Sequence, residues 1–164
     1  MRRKTLSVKI GKVFIGSDHS IKTQSMTTAS TMDTDKSVDE AIRIIQAGGK
    51  LVRFTAPNIN EAKNLLNIKD ALVAKGYDDP LVADIHFTPN AALEASKIVE
   101  KVRINPGNYV DKKKFEVKEY DDKSYQDELL KIEEKFIPLI NSYKKNNCTF
   151  NTFFVNKYFD KEIE

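Results

Sequence analysis

Cysteine is almost absent from this chain, since Cys148 is the only one among its 164 residues. A single thiol excludes an internal disulfide bond and a metal site made only from cysteines of this chain. A chain without disulfides fits the reducing cytosol, so we expect a cytoplasmic location.

Long apolar stretches are missing as well. No run of residues approaches the roughly 18 that a membrane-spanning helix needs, so we expect no membrane span. The basic residues 1–5 are not followed by an apolar segment. We therefore expect no secretory signal.

A strong charge of one sign is the third absence. The formal net charge is +3, and the lysines and arginines are scattered along the chain. No nucleic-acid-binding motif accompanies them, so we expect no nucleic-acid partner and mostly solvated lysine side chains. The length fits one domain.

The chain does contain an alternation of short apolar strands and amphipathic helices. Alternating apolar residues with glycines at the turns predict a hairpin at 8–16. Further strands are predicted at 21–26, 50–55, 80–86 and 101–105. The first helix is predicted from a cap at Thr34 or Asp35 to Gly48, and the second from Asn58 or Asn60 to Gly76. The third is predicted from Thr88-Pro89 to Val99. An irregular stretch at 108–124 precedes a long helix from Ser124, which Pro138 is expected to kink or end.

Strand–helix alternation of this kind predicts an α/β fold with a parallel sheet. A doubly wound sheet and a barrel both fit the pattern. No glycine-rich phosphate loop follows the first strand, which disfavours a dinucleotide-binding sheet.

Three successive strands each carry a charged residue near their carboxyl end, namely Arg53, Asp84 and Arg103. An unpaired buried charge is costly, so charges that recur at strand ends indicate a site rather than packing. Period-two alternation places His86 on the face of Asp84, and Asn105 on the face of Arg103.

Arginine suits phosphate because its planar guanidinium forms two parallel, charge-assisted hydrogen bonds. Arg53 and Arg103 together predict a diphosphate ligand, and Asp84 beside them is a candidate acid or base. The alternative for Arg53 is a structural ion pair with Asp84 across neighbouring strands, which is compatible with ligand binding. His86 is either a rim residue or a ligand contact.

Three further polar or flexible side chains are candidates for the same site. Asn105 follows Arg103 on one face, so its amide is a candidate ligand contact, although the turn composition around it also fits a simple loop. Gln24 and Met26 end the first strand of the sheet and are candidates for lining the site.

Four blocks of the sequence resemble successive motifs of one enzyme family. These blocks are Gln24-Ser25-Met26-Thr27, Val52 to Pro57, Pro80 to Phe87 and Lys101 to Tyr109. They are similar to the motifs of the 4-hydroxy-3-methylbut-2-en-1-yl diphosphate synthases, and the likeness runs from about residue 4 to 145. The stretch 120–145 is similar to the larger, three-domain form of that family.

The resemblance implies an oxidoreductase of the methylerythritol phosphate route to isoprenoids and terpenoids. That family opens 2-C-methylerythritol 2,4-cyclodiphosphate reductively and removes a hydroxyl as water, with electrons from ferredoxin or flavodoxin passing through a [4Fe-4S] cluster. It acts as a homodimer or as a self-contained three-domain chain. By resemblance, Arg53 and Arg103 grip the diphosphate, Asp84 is catalytic and faces the substrate with Asn105, and His86 lies beside them.

The resemblance also implies that this chain is incomplete. A closed barrel needs roughly 250 residues, so the expected fold is the first half of a TIM-type (βα)8 barrel, residues 1–146, with an N-terminal β-hairpin. Residues 147–164 are expected to be a truncated or frame-shifted tail, with a divergent fifth strand as the alternative. The family's later strands and cluster cysteines are absent, and Cys148 does not match a cluster position.

We therefore expect a fragment that is inactive alone. Two alternatives remain at this stage. One is a pterin-binding barrel synthase similar to dihydropteroate synthase, and the other is a non-catalytic split subunit that a second chain completes.

Overall fold

The computed structural model describes residues 5–105, 109 and 121–151 of the chain. Its strands are β1 (Val8–Ile10), β2 (Val13–Ile15), β3 (Gln24–Met26), β4 (Leu51–Thr55), β5 (Leu81–Ile85), β6 (Lys101–Ile104) and β7 (Thr149–Asn151). Its helices are α1 (Thr34–Gln46), α2 (Ile59–Ala74), α3 (Pro89–Ala95) and α4 (Asp122–Asn146). Within these residues, no helix has both the length and the apolar character needed to cross a membrane.

Strand order decides between the two parallel architectures that the sequence left open. β1 and β2 form the predicted antiparallel hairpin. The other strands form one parallel sheet in the order β3-β4-β5-β6-β7. A doubly wound sheet reverses its strand order at a switch point, whereas a barrel wall adds each strand beside the preceding one. The sheet is therefore part of an α/β barrel wall, and the predicted fold class is confirmed.

The helices begin where a side chain can accept the free amides of the first turn. Asp33 caps α1 by accepting a backbone amide at 3.2 Å, so the prediction of Thr34 or Asp35 as the cap was wrong. The carboxylate that precedes the first helical residue reaches that amide, whereas Thr34 and Asp35 are already helical. Asn58 caps α2 as predicted, accepting two amides at 2.9 and 3.1 Å.

Glycine ends the first two helices. Gly48 and Gly76 follow α1 and α2 with φ angles of +95° and +85°. This left-handed region is free of steric cost only for glycine, so the predicted helix ends are confirmed.

The last two helices differ from their predicted lengths. α3 ends at Ala95, short of the predicted Val99. The hydroxyl of Thr88 does not cap α3 but donates to the carbonyl of Pro57 at 2.8 Å. α4 begins at Asp122, before the predicted Ser124, and runs through Pro138 instead of ending there. This proline is exposed, so the helical carbonyl that loses its partner faces water.

The main core lies between the sheet and the helices. Alternate residues of β4, β5 and β6 meet the apolar faces of α1, α2 and α4, and burying them drives this packing. The fully buried members include Val38, Val52, Phe54, Leu65, Ile68, Ala83, Ile85, Val102 and Leu139.

A smaller apolar cluster covers the opposite face of the sheet at its amino end. Ile10 of the hairpin packs on Leu51 and Val82, and all three are buried. The hairpin is also joined to the last strand, because the hydroxyl of Thr149 donates to the carbonyl of Lys9. The hairpin thus forms the floor of the face that would line the barrel interior.

Part of the expected tail belongs to the sheet. β7 pairs in parallel with β6, with Thr149 opposite Lys101 and Asn151 opposite Arg103. The sheet therefore has a fifth parallel strand at 149–151, whereas the origin of the expected tail stays a prediction. Residues 152–164 and most of the predicted irregular stretch at 108–124 lie outside the described residues.

The open sheet generates the first prediction. In the described part of the chain, β3 and β7 each lack an outer partner strand, and exposed strand edges promote association. We expect the isolated chain to associate as its concentration rises, which light scattering after size-exclusion chromatography would measure. A monomer at all concentrations with a single sharp thermal transition would contradict this expectation.

Candidate functional site

Strand register brings the predicted charged residues to one face of the sheet. Asp84 pairs with Thr55 of β4 and with Arg103 of β6, and Arg53 pairs with Val82. Residues in parallel register point to the same side, and residues two apart on a strand do so as well. Arg53, Asp84 and Arg103 therefore share the inner face, above the hairpin floor and near the carboxyl ends of their strands.

Asp84 lies between the two arginines. Its side chain is 1% exposed. Oδ2 accepts a hydrogen bond from Nη2 of Arg53, and Oδ1 accepts one from Nη1 of Arg103 at 2.8 Å. The ion pair that the sequence offered as the alternative for Arg53 is thus present, and a second arginine joins it.

His86 completes the cluster at the rim. Its Nε2 lies 3.4 Å from Oδ1 of Asp84 and is hydrogen-bonded to Nη1 of Arg103. A guanidinium nitrogen only donates, so Nε2 of His86 is the acceptor in this hydrogen bond.

The cationic side chains of the cluster are partly exposed to solvent, whereas its carboxylate is buried. The side chains of Arg53, Arg103 and His86 are 28%, 38% and 41% exposed, against 1% for Asp84. Two guanidinium groups face one carboxylate, which leaves an excess positive charge on the open side. Such a surface attracts an oxyanion and offers it paired N–H donors.

The remaining predicted residues lie around this cluster. Met26 pairs with Arg53 in register and is exposed, whereas Gln24 lies one level lower, opposite Leu51. Asn105 follows β6 and is half-buried. Met26 thus adjoins the cluster, Gln24 lies further from the rim, and the ligand-binding roles of all three stay predictions.

The loop from β3 to α1 is held beside the site by side-chain hydrogen bonds that the sequence did not predict. The carboxylate of Glu40 on α1 accepts the backbone amides of Thr28 at 2.6 Å and Ala29 at 3.1 Å. These two amides lower the pKa of Glu40. The hydroxyl of Thr31 donates to the carbonyl of Thr55 at 2.6 Å. These bonds fix the loop against the end of β4, but a glutamate within an ordinary helix gives no sequence signal of this role.

Lys101 was also missed. It lies on β6, two residues before Arg103, and is buried with 7% exposure. Burial lowers the pKa of its ammonium group, and the nearby charge of Arg53 lowers it further. The alternation that grouped Arg103 with Asn105 would have placed Lys101 on the same face.

The described residues do not fit an iron–sulfur cluster. They contain no group of three or more His, Cys, Asp or Glu side chains that could hold a metal ion. Cys148 is buried, and burial raises the pKa of its thiol to about 12, which opposes the thiolate form that metals bind.

The chain matches one family model along most of its length. The model is described as the GcpE TIM-barrel domain, and it matches residues 5–150. The chain belongs to the GcpE family. This membership agrees with the barrel-type strand order and confirms the family resemblance proposed from the sequence.

Curated relatives of this GcpE-family chain carry one enzyme name. This chain is 52% identical over 145 residues to the 4-hydroxy-3-methylbut-2-en-1-yl diphosphate synthase (flavodoxin) of Chlamydia abortus. The match covers 88% of this chain. The proteins of that name from Akkermansia muciniphila and Bacteroides thetaiotaomicron are 52% and 49% identical over 85% and 89% of this chain. In each case the match covers 24% of the relative. This chain therefore spans about a quarter of the length of these relatives.

The buried carboxylate generates the second prediction. Replacing Asp84 by Asn leaves Arg53 and Arg103 without their counter-ion, so we expect the free energy of unfolding in urea to fall by about 2 kcal/mol. Asp39→Asn is the matched control, because Asp39 is exposed and lies 3.7 Å from Lys75. Equal stability of the two variants would show that Asp84 does not hold the arginines.

Proposed function

We propose that this chain forms the diphosphate-binding part of a 4-hydroxy-3-methylbut-2-en-1-yl diphosphate synthase. The substrate would be 2-C-methylerythritol 2,4-cyclodiphosphate, which the enzyme opens reductively while a hydroxyl leaves as water. One observation carries the proposal, namely that Arg53 of β4 and Arg103 of β6, the strands on either side of β5, are both held by the buried Asp84. The relatives' shared name supports the choice of reaction.

The arginines suit a diphosphate better than a single carboxylate ligand. Each guanidinium uses one terminal nitrogen on Asp84 and keeps further N–H donors for a ligand. Because Asp84 fixes both side chains before a ligand arrives, less conformational entropy is lost on binding. In this proposal Arg53 and Arg103 grip the phosphates, His86 and Asn105 face the ligand, and Gln24 and Met26 line its surroundings.

Asp84 is the candidate catalytic residue. Both of its oxygens are engaged by arginines, so it first acts to orient them. Proton transfer to or from a ligand would require an arginine to move from Asp84 to a phosphate. That movement would free a carboxylate oxygen next to the bound ligand.

Electron delivery is assigned to parts of the enzyme that this chain does not match. The names of the relatives specify flavodoxin for those proteins, and ferredoxin is the other donor of this reaction class. A [4Fe-4S] cluster would supply the electrons, with ligands outside this chain. We propose a cytoplasmic location, where such carriers are found, and completion of the barrel by further sequence or by a second chain.

Ligand binding is the third prediction. Replacing Arg103 by Gln removes a charged donor, so we expect about 30-fold weaker binding of the cyclodiphosphate, equivalent to about 2 kcal/mol. Isothermal titration calorimetry measures this directly. Arg43→Gln is the control, since Arg43 is exposed on α1 and should leave binding unchanged. Equal affinity of the Arg103 variant and wild type would argue against the proposed site.

Catalytic incompetence of the isolated chain is the fourth prediction. After reconstitution with iron, sulfide and a reductant, we expect no turnover of 2-C-methylerythritol 2,4-cyclodiphosphate, because the chain offers one cysteine. Product analysis by mass spectrometry checks this, with a full-length relative as the positive control. Any sustained turnover by the purified chain would overturn the assignment of electron delivery to other parts.

A further inference from the structure

Two nitrogen donors of side chains on the inner face of the sheet have no acceptor within the described residues. Nε of Arg53 is buried and has no hydrogen-bond partner. Lys101 is buried, and within the described part of the chain it makes no hydrogen bond or ion pair. A buried charged donor without an acceptor is costly, so Nε of Arg53 requires a physical explanation, and the buried side chain of Lys101 lies near it.

The two donors belong to one level of the sheet. Arg53 and Lys101 both pair with Val82, which lies between them on β5. They therefore flank one apolar side chain from opposite sides and point to the same face. The influence of Arg53 on the pKa of Lys101 agrees with this proximity.

Neighbouring side chains restrict the directions from which an acceptor can approach. Below this level, Val82 packs with Leu51 and Ile10 of the hairpin, and these side chains offer no polar atom. Above it, both oxygens of Asp84 are already bonded to the terminal nitrogens of the two arginines. Neither the hairpin nor Asp84 thus supplies an acceptor, and the open side of the inner face is the direction left for a ligand.

We propose that Lys101 and Nε of Arg53 form a second oxyanion subsite, which holds one phosphate group of a diphosphate-bearing small molecule. The inference rests on the proposed function and adds Lys101 to the binding residues. Arg103 and His86 receive one phosphate near the rim, and the second phosphate lies deeper, against Arg53 and Lys101. An oxyanion there offsets the excess charge of Arg53, Arg103 and Lys101 over Asp84.

Lys101→Met tests the subsite in the full 164-residue chain, with inorganic pyrophosphate as the probe. Methionine keeps the apolar stem and removes the ammonium group, so we expect about tenfold weaker pyrophosphate binding in calorimetry. Lys97→Met is the matched control, because Lys97 is exposed and paired with Glu94 at 2.7 Å. It should bind pyrophosphate as wild type does.

A second measurement on the wild-type chain covers the case in which Lys101→Met fails to fold. Amine acetylation followed by mass spectrometry compares Lys101 and Lys97 with and without pyrophosphate. At a pyrophosphate concentration well above Kd, we expect acetylation of Lys101 to slow at least about fivefold, while that of Lys97 stays unchanged.

The outcomes separate this inference from the proposed function. Wild-type affinity in Lys101→Met, or equal acetylation of Lys101 with and without pyrophosphate, overturns the subsite. If Arg103→Gln still weakens binding in that case, the proposed function stands without Lys101. If the wild-type chain binds neither pyrophosphate nor the cyclodiphosphate, both proposals fail.

Discussion

The arrangement of the candidate site depends on one buried carboxylate that bridges three strands. Asp84 on β5 accepts from Arg53 on β4 and from Arg103 on β6, so three adjacent strands are joined by side chains as well as by their backbones. A carboxylate with almost no exposure is tolerated only with such partners. Because each arginine is bonded on one side, its free donors point in fixed directions. The same interaction thus stabilises the sheet and, in the proposed function, positions the arginines for an anionic ligand.

The two faces of the sheet differ in polarity. Its outer face is apolar and packs against the helices, as Phe54 and Leu65 illustrate. Its inner face is apolar only at the hairpin floor, around Val82, and becomes polar toward the carboxyl ends of the strands. This gradient keeps the cationic groups away from the core and places them where a barrel binds ligands. Membership in the GcpE family and the shared name of the relatives fit this division.

Sequence alone predicted the parts that depend on local patterns. Charges at strand ends predicted that Arg53, Asp84 and Arg103 lie together, and glycines predicted the ends of α1 and α2. The bonds of Glu40 to the β3–α1 loop could not be predicted, because they depend on how a helix packs beside that loop. The burial of Lys101 was not predicted because most lysines lie at the surface. Only its position in the folded sheet shows that this one is buried.

The contact between Thr149 and Lys9 links residues that lie 140 positions apart in the chain. Bringing such distant segments together carries a loop-closure cost, and topologies rich in long-range contacts fold slowly. During synthesis on the ribosome, the hairpin emerges first but cannot make this contact until the last described strand has left the exit tunnel. The floor of the inner face therefore receives this contact only after residue 149 has left the ribosome.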